Sequence, residues 1–237
     1  MLRRIVLGVL LALIPCAAFA APAVVTTVIG GGASASTTYS ASISPANGNV
    51  LTVIALSLAA SGGVPTSVTD SASNTLTLRK SATLNAAGSV LIYDEVASGS
   101  ITSVSCNSNA AASCSVFGVL NMSRANSAGS FVSNTGVTST ATTGPLSPIL
   151  PTDILFCGIV AFGGETITIS NSTGLTSLYD SSPIGGLYLY YATSTSTTST
   201  CTASGTSTWA AAMSDYTGSP IVGGCGPYPW PCAFQGG

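Results

Sequence analysis

The sequence predicts an all-β protein, an antiparallel β-sandwich built from two diverged halves. Three observations carry this prediction. Only 5% of the residues are charged while 46% are hydrophobic, so the Glu and Lys residues that favour helices are nearly absent. The apolar runs are short, rich in Val, Ile, Thr and Tyr, and separated by Gly-containing turns, as is typical of strands. A similar series of strand-like segments also occurs twice along the chain.

The first twenty residues have the pattern of a secretory signal peptide. A basic start, MLRR, precedes the apolar run IVLGVLLALI, and Ala18-Phe19-Ala20 forms a small-x-small cleavage site. The apolar run is shorter than the ~20 residues needed to span a membrane. We therefore expect a secreted protein that begins at Ala21, lies in the extracellular space, at the cell surface or in the periplasm, and is not held in a membrane after cleavage.

Cleavage also changes the charge balance and the cysteine count. It removes Arg3, Arg4 and Cys16, which leaves three basic residues, seven acids and six cysteines. A slightly acidic chain without a basic patch is not expected to bind nucleic acid. An even number of cysteines in an exported chain favours disulfide bonds over metal or thiol chemistry.

Six cysteines allow fifteen pairings, which their count alone does not distinguish, and we predict one of them. Two pairs would close short local loops, and the third would join two strands of the second half. The predicted disulfides are Cys106–Cys114, Cys225–Cys232 and Cys157–Cys201.

The mature chain divides into an extended segment, a sandwich and a tail. Residues 21–46 form the extended N-terminal segment, and residues 47–217 form the sandwich. Within the sandwich we expect halves at 49–122 and 153–217, joined by a Ser/Thr/Gly/Pro-rich linker at 123–150 in which FVSN is the one candidate edge strand. Residues 218–237 are a tail rich in Pro and Cys.

Corresponding segments identify the two halves. NVLTVIALSL matches DILFCGIVAF, and SVLIYDE matches GLYLYYA, which aligns Tyr93 with Tyr190. TSVTDS also matches TSLYDS, which aligns Asp70 with Asp180. Each Asp-Ser pair follows a strand, where both side chains accept hydrogen bonds from turn N–H groups, so we expect turn chemistry. Since neither half alone would bury both faces of its strands, the halves are expected to stack into one sandwich.

The stretch NVLTVIAL followed by TSVTDSASNTLTL resembles a jelly-roll-type β-sandwich module of secreted bacterial and phage structural proteins. The resemblance covers about residues 47–217. It implies a jelly-roll-like fold and a binding or structural role at a surface or fibre. It brings no catalytic residues with it.

The composition argues against an enzyme, a cofactor and a metal site. With no histidine there is no Ser-His-Asp or Cys-His catalysis and no imidazole ligand. The paired Asp-Ser motifs lack the glycine of an aspartic protease dyad, with Ala72 and Ser182 in its place. Asp94 and Glu95 should point to opposite faces of a strand, which does not suit a glycosidase. The aspartates also lack the spacing of a calcium loop.

Aromatic residues are the candidate ligand contacts. Tyr188 and Tyr190 share one face of the strand LYLYY and could stack on sugar rings, or could instead fill the core. In CGPYPWPC, three prolines would stiffen a disulfide-closed ring that displays Tyr228 and Trp230. The alternative is a terminal staple whose aromatic rings fold against the sandwich.

Two functions fit these expectations. The first is a secreted, non-enzymatic module for binding or adhesion, whose partner is a carbohydrate or another cell-surface ligand. The second is a structural subunit of an extracellular fibre or virion-like assembly. In it the β-prone segment APAVVTTVI, followed by GGG, would self-associate by completing a neighbour's sheet.

Overall fold

The structure is a computed structural model, and it describes residues 20–31, 36–58, 64–84, 88–109, 115–126, 129–147, 149–163, 166–181 and 186–218. All the secondary structure in these ranges is β-strand. None of the described elements is a helix that could cross a bilayer.

Sixteen antiparallel strands are described, and each half of the chain contributes eight. In the first half they are β1 (Ala23–Gly30), β2 (Thr38–Ser42), β3 (Val50–Leu58), β4 (Pro65–Asp70), β5 (Thr77–Leu84), β6 (Gly88–Val96), β7 (Ser103–Ser108) and β8 (Val116–Ser123). In the second half they are β9 (Phe131–Gly136), β10 (Thr140–Thr142), β11 (Ile154–Gly163), β12 (Ile167–Ile169), β13 (Ser172–Asp180), β14 (Leu187–Ser194), β15 (Cys201–Ser204) and β16 (Thr206–Tyr216).

The two halves have the same strand order. The first half forms a five-stranded sheet, β1-β8-β3-β6-β5, and a three-stranded sheet, β2-β7-β4. The second half forms β9-β16-β11-β14-β13 and β10-β15-β12. Adding eight to every strand number of the first half gives the second half. Sheets in which strands 1, 8, 3 and 6 face strands 2, 7 and 4 have jelly-roll connectivity, so each half is a jelly roll.

The two five-stranded sheets stack face to face and make a four-layer molecule. One core lies inside each jelly roll, and a third core lies between the five-stranded sheets. β3 lies over β11 in the middle of this stack, with β1 beside β13 at one side and β5 beside β9 at the other. The strands approach so closely that a Cβ atom on Gly158 would lie 2.6 Å from Ile54 Cγ2.

The four layers explain the sequence of the central strands. In VLTVIALSL the first eight residues are buried, including Thr52 and Ser57, because the sheet is covered on both faces. Continuous apolar runs are typical of such doubly covered strands. Edge strands β1 and β13 have no buried residue and carry more Thr and Ser.

The architecture is a β-sandwich of two halves, as predicted, but it has two more layers than expected. Each half buries its own strands with a second sheet, which the sequence did not separate because its Ser- and Thr-rich strands lack a sustained apolar run. The first half includes β1 and β2, which lie in the segment 21–46. Residues 123–150, expected to be a linker with one edge strand near FVSN, hold two strands of the second half. FVSN lies in β9, which is a sheet edge as expected, and β10 was not expected.

The proposed match between TSVTDS and TSLYDS is wrong. Asp70 ends β4 of a three-stranded sheet, while Asp180 ends β13 of a five-stranded sheet. The strand that corresponds to β4 is β12, and the strand that corresponds to β13 is β5. The two segments look alike because both close a strand with common turn residues, which do not encode the identity of the strand.

Candidate functional site

The registers of the two halves identify equivalent residues, and Tyr93 and Tyr190 are such a pair. Tyr93 lies opposite Val53 of β3, and Tyr190 lies opposite Cys157 of β11. Val53 and Cys157 are each the fourth residue of their strand. The alignment of these two tyrosines is therefore confirmed.

A buried polar pair occurs at equivalent positions in both halves. In the first half Asn49 Nδ2 donates a hydrogen bond to Asn121 Oδ1 at 2.8 Å. In the second half Asp153 takes the place of Asn49, directly before the central strand. Asp215 takes the place of Asn121, because each lies opposite the second residue of that strand.

The two aspartates are buried and interact through their carboxyl groups. Burial and the neighbouring Asp153 raise the pKa of Asp215 to about 7, although the Ser130 N–H donates to its carboxylate. Burial also raises the pKa of Asp153, whose Oδ2 accepts a hydrogen bond from the Leu150 N–H at 2.6 Å. Two carboxyl groups in contact are stable when they share one proton. The pair therefore binds a proton near neutral pH in the folded protein.

Asp153 also lines a pocket of about 390 Å³. The other lining residues are Ala20, Ala21, Leu150, Pro151, Thr152 and Gly218. The pocket offers few polar contacts to a ligand, because among its lining residues only Asp153 and Thr152 have polar side chains. Because the same position in the first half holds a structural amide pair, the geometry favours a structural role for the two aspartates. Sequence reasoning missed this pair, although Asn49 and Asp153 are the first residues of the two matched segments.

The core between the halves has one polar end and one apolar end. At the polar end Arg79 Nε donates to Asp94 Oδ1 at 2.5 Å, and Tyr216 approaches Asp94 Oδ2 at 3.5 Å. Arg79 reaches Asp94 from a β-bulge between Leu78 and Lys80. Burial raises the pKa of Asp94, and the bonds to Arg79 and Tyr216 oppose that rise.

The apolar end keeps the same bulge with different residues. The equivalent bulge in β13 places Leu178 where Arg79 lies in β5. Tyr191 and Met122 are the equivalents of Asp94 and Tyr216, and all three residues pack in the core between the sheets. The ion pair therefore occupies one of two equivalent positions in the described interface, and apolar residues occupy the other.

Asp70 and Glu95 form the remaining acidic contact. Asp70 stabilises its turn as predicted, because its carboxylate accepts bonds from the Asn74 N–H and Nδ2, both at 2.8 Å. Burial, followed by the charge of Asp70, raises the pKa of Glu95 to about 7. Asp94 meets Arg79 on one face of β6 while Glu95 meets Asp70 on the other, as strand alternation predicted.

The two predicted tyrosine contacts on β14 differ in exposure. Tyr188 is 1% exposed and packs inside the second jelly roll, so it is not available as a surface contact. Tyr190 is half-buried on the same face, and its hydroxyl donates to Asp180 Oδ2 at 2.5 Å. Ser177, which lies opposite Tyr190, is exposed beside it. The three-stranded sheet therefore covers Tyr188 and leaves Tyr190 at the rim.

The equivalent tyrosine in the first half has no such access. Tyr93 is 2% exposed, and its hydroxyl has no hydrogen-bond partner in the described part of the chain. Burial raises the pKa of Tyr93 to about 12. A half-exposed ring beside a carboxylate is thus found at only one of the two equivalent positions.

The Cys157–Cys201 disulfide is confirmed. It joins β11 of the five-stranded sheet to β15 of the three-stranded sheet, across the core of the second half. Cys106 is disulfide-bonded too, but its predicted partner Cys114 lies outside the described residues. The other predicted tail features, Cys225, Cys232, Tyr228 and Trp230, also lie outside them.

The described residues contain no cluster of three or more metal-binding side chains. Asp70 and Asp180, weighed as a protease dyad, lie in different sheets of different halves. The disulfide is compatible with an oxidising, extracellular location.

Comparisons with known proteins found no match to this chain, whether with protein-family models, curated proteins or solved structures.

Proposed function

We propose that the protein is a secreted, non-enzymatic binding module whose ligand is a neutral surface polysaccharide. The observation that carries this proposal is the Tyr190 ring at the rim of the second jelly roll, with its hydroxyl on Asp180. Sugars are bound by stacking on aromatic faces and by carboxylates that accept hydrogen bonds from hydroxyl groups. Ser177 adds a further hydroxyl at the same surface.

The charge of the chain supports a neutral ligand. Only three basic residues follow the signal peptide, and one of them, Arg79, is paired with a buried aspartate. An anionic polymer would need a cluster of Lys or Arg, and neither β13 nor β14, the strands that hold Asp180 and Tyr190, carries a basic residue. Tyr228 and Trp230 of the tail remain proposed contacts from the sequence.

The proposal is tested by glycan-array binding followed by calorimetry with the best glycan. We expect Tyr190→Ala and Asp180→Asn each to weaken binding about tenfold or more, which corresponds to about 1.4 kcal/mol. Leu78→Ala is the matched control, because Leu78 occupies the position of Ser177 in the other half and is 49% exposed. Unchanged affinity in both variants would remove this surface from the site.

The tail is tested in the same assay. If Trp230 contacts the ligand, Trp230→Ala lowers the affinity while Tm is nearly unchanged. If Trp230 instead packs against the sandwich, the same change lowers stability by several kcal/mol, as truncation of a buried aromatic ring does.

A structural subunit is the second candidate. It is supported by β1, which has no charged and no buried residue, ends at Gly30 and is followed in the sequence by two more glycines, at 31 and 32. In this function β1 would leave its own sheet and pair with β8 of a neighbour. Electron microscopy of the purified protein distinguishes the candidates, since strand exchange along a series of copies yields filaments and a binding module yields discrete particles.

A further inference from the structure

We propose that β1 is a self-association edge, at which two copies of the chain pair their β1 strands antiparallel and form a closed dimer. The inference does not depend on the binding function proposed above. It rests on a difference between the two sides of the four-layer stack.

One side of the stack has what we call the guarded edge, a sheet edge whose strand carries charged side chains. There β5 carries Arg79 and Lys80, and it packs against β9, where Ser133 Oγ donates to the Ser81 carbonyl at 3.0 Å. Charged side chains on an edge strand oppose the addition of another strand. This side is therefore a poor site for sheet extension.

The edge strands on the other side carry almost no charged side chains. β1 has no charged residue, and β13 has only Asp180, at its end. Three exposed apolar side chains lie on these two strands: Val25 at 56%, Ile29 at 42% and Leu175 at 43% exposure. Both strands are sheet edges, so their outer backbone groups have no neighbouring strand in the described ranges. Uncharged edges of this kind are templates for pairing with another chain.

β1 suits pairing better than β13. The register of β13 is interrupted twice, between Thr173 and Thr176 and between Ser177 and Tyr179. The register of β1 has one bulge, near Val25, and residues 26–30 continue without interruption. Bulges hinder edge pairing, so the regular part of β1 is the surface we assign to the partner.

A second copy fits this edge because pairing continues an interface that already exists. Pairing of the two β1 strands joins the five-stranded sheets of the two copies into one sheet of ten strands. Ile29 lies opposite Gly118. A Cβ atom on Gly118 would face Leu178 and Leu189 of the second half, so Ile29 lies on the same side of the sheet as these residues. Ile29 therefore extends the apolar core between the sheets, and a partner's β1 covers it. Since both copies use the same strand, the interface is two-fold and closes at a dimer.

The test is sedimentation equilibrium of the exported, purified protein, with its first residue identified by mass spectrometry. We expect the mass of a dimer for the natural chain. We expect the monomer mass for Val25→Lys/Ile29→Lys, with Tm nearly unchanged because both side chains are exposed. Leu78→Lys on the guarded edge is the matched control and should remain a dimer.

A natural chain that is monomeric at every concentration would overturn the proposal, and so would a dimer that survives Val25→Lys/Ile29→Lys. Open filaments would indicate strand exchange and would also overturn it. Hydrogen exchange of the unaltered protein gives a second readout that needs no variant. The β1 amides should gain protection as the concentration rises, and protection independent of concentration would contradict the pairing.

Discussion

The two jelly rolls share one strand order but use different chemistry at equivalent positions. Where the first half joins Asn49 to Asn121, the second half joins Asp153 to Asp215. At one end of the interface the bulge of β5 directs Arg79 to an aspartate, and at the other the bulge of β13 directs Leu178 into an apolar core. The backbone therefore determines where a buried side-chain pair lies. The side chains at that position determine whether the stability of the pair depends on pH or on charge.

This comparison supplies a natural template for several substitutions. A residue of one half can be replaced by its equivalent from the other half, at a position where the same backbone already holds it. Arg79→Leu/Asp94→Tyr, Asp153→Asn and Asn49→Asp/Asn121→Asp are exchanges of this kind.

The Cys157–Cys201 disulfide of the second half is not repeated at the same position of the first half. Val53 of β3 takes the place that Cys157 has in β11. Replacing the disulfide by Cys157→Val/Cys201→Ala should lower the free energy of unfolding by about 4 kcal/mol, because the bond closes a loop over a sequence separation of 44. Urea denaturation measures the loss. An unchanged unfolding midpoint would show that this link does not stabilise the second half.

The ion pair at the polar end should depend on both partners. Arg79→Leu copies Leu178 but leaves the buried Asp94 without its cation, so we expect a loss of about 3 kcal/mol. Adding Asp94→Tyr copies Tyr191 and should restore part of the stability. Chemical denaturation of both variants measures this coupling. Equal losses for the single and the double variant would contradict the equivalence of the two ends.

The carboxyl pair should make the second half less stable as the pH rises. The pKa of Asp215 is about 7 in the folded protein and near 3.8 when unfolded. The folded state therefore holds the extra proton, and its stabilisation is complete below about pH 4 and is lost as the pH rises through about 7. Asp153→Asn provides an amide donor, as Asn49 does. It should raise stability at pH 8 by about 1–3 kcal/mol and flatten this part of the pH profile.

The reciprocal exchange is the control for the carboxyl pair. Asn49→Asp/Asn121→Asp should introduce the same loss of stability with rising pH into the first half. Thermal unfolding between pH 4 and pH 8 measures both variants. An unchanged profile in either one would contradict the assignment of the pH dependence to this position.

The smallest effects are expected at the two turn aspartates. Asp70→Asn should cost about 1 kcal/mol or less, since Asn can still accept one of the two bonds from Asn74. Asp180→Asn should cost less than that, because Asp180 is exposed and its bond goes to Tyr190. Thermal unfolding measures both changes. Proteolysis at acid pH that either substitution abolishes would contradict a structural role for these residues.

The fold could be predicted from the sequence where the strands are apolar. NVLTVIALSL and DILFCGIVAF identified the central strands β3 and β11, and SVLIYDE and GLYLYYA identified β6 and β14. The three-stranded sheets were missed although TSVTD was expected to be a strand, because short strands rich in Ser and Thr carry no signal of which sheet they join. The finding that each half is a complete jelly roll therefore required the strand pairing of the structure.

The candidate site was predicted in part. Tyr190 lies at a surface while Tyr188 does not, and no local pattern distinguishes two tyrosines on one strand face. Their exposure depends on how far a distant sheet extends over them. The contact of Asp153 with Asp215 likewise joins residues 62 positions apart in the sequence, so it requires the register of β16 on β11.

Two equivalent jelly rolls share one core between their five-stranded sheets. Native-state hydrogen exchange with mass spectrometry measures whether this core protects both halves together. Because β3 and β11 lie in the middle of the stack and are covered on both faces, their amides should be the slowest to exchange, with similar protection in both strands. Rapid exchange throughout one half while the other stays protected would contradict the shared core.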